Sequence, residues 1–215
     1  KEVGKSNLRG HPKSKFIPFG REGVVKILRD RLGYEAHEKW IVTKTFAKVA
    51  CKHYSVWYIF CHDFKNKQKE FMGLRLWDWK NTELYYPAEF TPYDIPEGEC
   101  DMKLVFLNAC SSAQPREPEY EEKKEDYQPS LRVELFARRF NTRVYAGWEY
   151  DPPRLLCNIL SKFFLGYCDG GTNLKKAREN AIEYCRDRVS VGDPDKFRLI
   201  PYRGTNLQKY VIDRK

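Results

Sequence analysis

The chain has 215 residues, 41% hydrophobic and 32% charged, with a formal net charge of +9. That length supports one domain with a core of its own, held without disulfides or a metal. No run of eighteen apolar residues occurs, so no membrane span is expected. The basic residues are dispersed and mixed with acids, the pattern of a solvated surface, and nucleic acid is not expected among its partners.

Seven cysteines, at 51, 61, 100, 110, 157, 168 and 185, form no C-x-x-C pair. Most fall within apolar segments as small core residues, and an odd count without a framework predicts a reduced, cytoplasmic protein. The chain opens on Lys1 instead of methionine. A preceding piece is therefore expected, and a missing signal peptide carries no weight.

Residues 1–19 are polar and basic, with Gly4, Gly10, Pro12 and Pro18, and read as an irregular arm ahead of an α/β domain over 20–215. Gly4-Lys5-Ser6 resembles the end of a phosphate loop, but Asn7 to Pro12 does not open the helix that motif requires. From Arg21 to Leu32 the apolar positions Val24, Val25, Ile27, Leu28 and Leu32 follow helical spacing, stopped by Gly33. Tyr34 to Val42 is consistent with a short strand, and Thr43 caps a helix reaching Ala50 or Lys52.

The nearly continuous apolar run Val56 to Cys61 predicts a buried strand that delivers His62 and Asp63 at its exit. Phe71 to Trp79 and Leu84 to Tyr86 form a hairpin by pattern, and Pro87 to Cys100 is a turn-rich connection. Leu104 to Leu107 predicts a second buried strand, closed by Asn108 and the small residues Ala109-Cys110-Ser111-Ser112-Ala113. Gln114 to Ser130, rich in charge and proline, is too polar for the core and reads as a loop. Leu131 to Phe140 is helical, Thr142 to Trp148 a strand, and Asp151-Pro152-Pro153 starts a helix through Phe164. Asn173 to Arg188 is again helical, with Phe197 to Ile200 and Leu207 to Ile212 as candidate closing strands. This alternation predicts a mostly parallel sheet covered by helices.

Open α/β sheets carry their working groups outside the carboxyl ends of the strands. Two parallel neighbouring strands would put His62 and Cys110 on one rim, where the imidazole takes the thiol proton and the thiolate attacks a carbonyl. A glutaminase or papain-like enzyme would place the cysteine ahead of the histidine, and the reverse order holds here. A metal role for His62-Asp63 lacks further ligands at convincing spacing, and neither a metal nor a cofactor is expected.

The segments V-W-Y-I-F-C-H-D and K-L-V-F-L-N-A-C-S-S-A resemble the paired histidine and cysteine blocks of the caspase-like peptidases of clan CD. Residues 144–181 look like the corresponding part of the CHAT and gingipain branches, and the likeness spans about 20–213. The resemblance implies a caspase-haemoglobinase fold, a catalytic dyad of His62 and Cys110, and an oxyanion hole from the backbone N–H groups of Cys110 and Asp63. It implies a cysteine endopeptidase acting on protein or peptide substrates, with a regulatory protein as a second candidate partner. Asn108, Trp148 and Asp151 are assigned to the substrate pocket.

Asp63 departs from the pattern, since the family most often has glycine after the histidine. A carboxylate beside a developing oxyanion opposes negative charge unless it meets a cation. The alternative expectation is therefore a catalytically degenerate caspase-like domain that serves as an interaction or signalling module.

Overall fold

The computed structural model describes residues 23–34, 42–80, 84–116, 127–168 and 171–212, with the backbone alone for 77–80 and 84–86. The N-terminal arm, residues 35–41 of the expected first strand, and most of the charged loop lie outside the described residues. A short helical turn, α1 (Val24–Lys26), widens into a π turn over Ile27–Arg31. Helix α2 (Lys44–His53) follows, capped as expected by the Thr43 side chain, which accepts from the Phe46 N–H at 3.1 Å.

The sheet that organises the molecule has the order β1-β5-β6-β7. Strands β1 (Val56–Phe60), β5 (Leu104–Asn108) and β6 (Val144–Trp148) run parallel, and β7 (Phe197–Pro201) closes the edge antiparallel to β6. β5 and β6 are buried at every position, which is why they read as continuous apolar runs without alternation. Their side chains still divide between two layers. Leu104 and Phe106 of β5, with Val144, Ala146 and Trp148 of β6, pack under α4 (Arg154–Tyr167) and α5 (Leu174–Arg188). Val105 and Leu107, with Trp57, Ile59 and Tyr145, face α2 and α3 (Leu131–Arg139).

A second sheet, β2-β3-β4, is antiparallel and fills the excursion between β1 and β5. The hairpin of β3 (Phe71–Lys80) and β4 (Leu84–Phe90) matches the expected pair but runs on through Pro87, which is tolerated because β4 is an edge strand. Strand β2 (His62–Lys65) has no counterpart in the sequence reading. It is too short and polar to show a period, yet it pairs with β3, His62 opposite Arg75 and Asp63 opposite Leu74.

Two expectations are corrected. The helix after β6 starts at Arg154, with Pro153 as its flanking residue, so both prolines lie before the first turn instead of inside it. Residues 207–209 form a turn and 210–212 run on irregularly, with no strand. Their carbonyls are spent on the start of α5, with Leu174 N–H donating to Tyr210 O at 3.0 Å and Lys175 N–H to Leu207 O at 3.2 Å. Among the described residues no helix is long and apolar enough to cross a membrane.

Gly147 marks where the chain after β5 presses on β6. A Cβ there would lie 2.7 Å from Ser112 Oγ and 3.1 Å from Ala113 N. Ser112 cannot yield, because its hydroxyl donates to Leu107 O at 2.6 Å and accepts from Trp148 N–H at 3.2 Å. Gly147→Ala is therefore expected to destabilise the fold by about 1–3 kcal/mol, read as a lower urea midpoint with an unchanged slope; an unchanged midpoint would show that the contact is slack.

Candidate functional site

Phe60 and Asn108 are direct partners in the parallel ladder of β1 and β5. His62 and Cys110 each lie two residues past that pair, so both emerge at the carboxyl end of the sheet. The level of the rim is set by Asn108, whose side chain is buried and paired in every direction. Its Nδ2 donates to Tyr58 OH at 3.0 Å and Ser161 Oγ at 2.8 Å, and its Oδ1 accepts from Trp148 Nε1 at 2.8 Å. One amide thus ties β1, β5, β6 and α4 together just ahead of Cys110.

Past Asn108 the chain turns sharply. Ser111 has φ 50°, a left-handed conformation unusual for a residue with a side chain. The turn is held by Ser111 N–H to Tyr150 O at 2.8 Å, Ala113 N–H to Trp148 O at 2.7 Å and Tyr145 OH to Ser112 O at 2.7 Å. Among the described residues the Cys110 N–H donates to no backbone carbonyl and interacts with its own thiol. The Cys110 thiol is half-buried, not sealed beneath the core.

The groups the structure brings to that thiol are mainly charged. Ser111 Oγ donates to Asp151 Oδ1 at 2.8 Å, and Lys65 Nζ donates to the same carboxylate at 2.6 and 2.8 Å. Lys65 also stands 3.6 Å from Asp63 Oδ2. Asp63 and Lys65, two residues apart on β2, meet at this corner. Burial, then the Asp63 and Asp151 carboxylates, push the Cys110 thiol up to about 11, with Lys65 opposing. Burial likewise raises the Asp63 carboxyl, with Lys65 lowering it and Asp151 raising it. Burial also works to raise Asp151, but the bonds from Lys65 and Ser111 hold it below the usual carboxylate range. Lys65 is lowered by its own burial and raised more by Asp151 and Asp63, so it keeps its proton. The Lys65–Asp151 pair is accordingly weakened only as acid protonates Asp151 or as pH rises through the elevated lysine pKa.

Each residue expected from the sequence has a definite place. The His62 imidazole is exposed and, among the described residues, makes no hydrogen bond or ion pair, so no bond joins it to Cys110 here. Asp63 sits in a ladder opposite Leu74, not on the open turn that glycine would suit. Asn108 and Trp148 are 1% and 0% exposed; they are bonded to each other beneath the rim and do not wall an open pocket. The reason is the indole N–H, which must find a partner once buried and finds the Asn108 carbonyl. Asp151 does lie at the rim. Sequence reasoning missed Lys65 and Ser111; the only signals were the spacing of Lys65 from Asp63 and the position of Ser111 next to Cys110. Among the described residues no cluster of three or more His, Cys, Asp or Glu could hold a metal ion.

No protein-family model matches this chain, and no curated protein matches it at a significant level.

Since the thiol pKa lies near 11, iodoacetamide should label Cys110 slowly at pH 7, faster by roughly tenfold per pH unit up to that value. Asp63→Asn and Asp151→Asn should each move the profile to lower pH. A wild-type inflection at or below pH 8, located by mass spectrometry of the alkylated peptide, would contradict the protonated resting thiol.

Proposed function

We propose that the chain is a cysteine endopeptidase with a caspase-haemoglobinase-like arrangement, Cys110 acting as nucleophile and His62 as its acid–base partner. The observation that carries this reading is the Phe60–Asn108 register, which sends both residues out of adjacent parallel strands at one sheet end. The half-buried position of Cys110 supports it further.

In the proposed reaction the Cys110 sulfur attacks the scissile carbonyl carbon as its proton passes to His62. The carbonyl oxygen gains negative charge and takes a hydrogen bond from the Cys110 N–H. The C–N bond then breaks and His62 gives the proton to the leaving amine. Water, losing a proton to His62, hydrolyses the thioester and regenerates the thiol. The resting pKa is too high for a standing thiolate, so proton transfer to His62 accompanies attack instead of preceding it.

The substrate's charge follows from the local balance. Lys65 is shared between two carboxylates, Asp151 at bonding distance and Asp63 at 3.6 Å, leaving one excess negative charge beside the thiol. A cationic side chain on the acyl side of the scissile bond would cancel it and lower the thiol pKa as it binds, so substrate and activation coincide. Asp63 is the residue we assign to that recognition.

The same carboxylates, together with the absence of a His62–Cys110 bond, favour a second reading, a module that binds basic peptides without cutting them. A peptide library separates the two. Cleavage after Arg or Lys that is abolished by Cys110→Ala, reduced at least a hundredfold by His62→Ala and redirected by Asp63→Asn is the expected result, with melting temperatures unchanged. Binding without cleavage establishes the second reading, and cleavage that survives Cys110→Ala overturns the first.

A further inference from the structure

Away from the rim, α2 is stitched to the connection between β4 and β5 along one stripe. Lys44, Lys48 and Lys52 recur every four residues and so share a helix face. Lys44 and Lys48 reach Asp94 Oδ1 at 2.9 and 3.3 Å, and Lys52 reaches Glu99 Oε2 at 2.5 Å. The residues beside the last of these pairs are Cys51 and Cys100. Both thiols are buried, at 0% and 2% exposure, in the same apolar cluster with Ala47, Trp57, Ile95 and Met102. The Lys52–Glu99 ion pair on the adjoining residues holds the two segments side by side at this point, and each thiol acts on the titration of the other. Each also has a local carbonyl, Lys48 O at 3.1 Å for Cys51 and Pro96 O at 4.0 Å for Cys100, so their side chains have defined directions.

We infer that Cys51 and Cys100 are a dithiol that a hydroperoxide converts to a disulfide, fastening α2 to the segment that enters β5. The peroxide O–O bond breaks as one thiol sulfur takes an oxygen, giving a sulfenic acid and a molecule of water or alcohol. The second sulfur then attacks the first, the S–O bond breaks, and water leaves with the second thiol's proton. Two thiols are oxidised and one hydroperoxide is reduced. A disulfide needs the two Cβ atoms close together without backbone movement, and the Lys52–Glu99 ion pair on the flanking residues keeps the two segments in register in the reduced protein. Because both thiols are buried, oxidation waits on local opening of α2, so the pair reacts slowly. Of the remaining cysteines, Cys157, Cys168 and Cys185 belong to the apolar layer on the other side of the sheet, while Cys61, which packs against the same layer as the pair, interacts with Cys110.

The bond would close residues 51–100 into a covalent loop holding β1 and the entire antiparallel sheet, His62, Asp63 and Lys65 included. Its consequence is stability, by restricting the unfolded chain, and it is independent of whether Cys110 cleaves peptides.

The test is peptide mapping of the full chain. Reduced protein is treated with hydrogen peroxide, denatured in N-ethylmaleimide and digested without reductant. The expected map contains a Cys51–Cys100 cross-linked peptide, and the oxidised protein melts about 5–10 °C higher, an increase that dithiothreitol reverses. Cys51→Ser and Cys100→Ser each abolish the increase, whereas Cys110→Ser retains it. Alkylated Cys51 and Cys100 after oxidation, a cross-link between Cys61 and Cys110 in their place, or a Cys51–Cys100 cross-link that leaves the melting temperature unchanged would overturn the proposal.

Discussion

The buried amide of Asn108 is the constraint on which the arrangement of the rim depends. A primary amide in an apolar interior is costly wherever a donor or acceptor is left open, on the order of 1–3 kcal/mol for each. Here both ends are matched by groups from three other elements: Tyr58 of β1, Ser161 of α4 and Trp148 of β6. Matching them fixes how far each strand runs before its chain turns out of the sheet. Tyr58 stands two residues before Phe60, and Phe60 is the ladder partner of Asn108. The exits of the strands that carry His62 and Cys110 are therefore set by one side chain, and Trp148 is consumed in setting them.

Above that floor the chemistry is governed by a contest between charges. Asp151 receives both Ser111 and Lys65, which settles it as an anion and makes it a tie between the turn after β5 and the second sheet. Asp63 receives less, with one carboxylate oxygen buried and without a hydrogen-bond partner. The Lys65 ammonium can satisfy one carboxylate at bonding distance and only attract the other from further away. The residual field falls on the Cys110 sulfur and holds its proton. A cation added at Asp63 and a base added at His62 act in the same direction, which makes the resting state responsive to what occupies the rim.

Much of this fold can be read from the chain because the central strands are buried on both faces. Continuous runs such as Leu104 to Leu107 and Val144 to Trp148 leave little choice of structure, and the cap Thr43 announces its helix. What could not be read is where the polar groups would be spent. Asn108 and Trp148 have the chemistry of pocket residues, but their burial depends on α4 lying across the strand ends, which no local pattern encodes. Lys65 and Asp151 come from distant segments, and their meeting requires β2, a strand of four residues with no apolar period. Leu207 to Ile212 carries strand-like composition, yet the unpaired N–H groups at the start of α5 claim its carbonyls first.

The two halves of the rim are held with unequal firmness. Cys110 follows a central strand, and its turn is bound to β6 and to Tyr150 by several backbone and side-chain hydrogen bonds. His62 begins β2, an edge strand with neighbours on one side only, and the ladder of that strand shifts register between Phe64 and Lys65. Edge strands with few pairs open at lower free energy than central ones. The imidazole is thus the adjustable member of the pair and the sulfur the fixed one. The Lys65 contact with Asp151 is a direct side-chain link from β2 to the chain after β6. Under the proposed reading, a ligand competing with Lys65 for Asp151 would loosen β2 and unbalance the carboxylates at once, linking binding at the rim to the proton state of the thiol through one ammonium group.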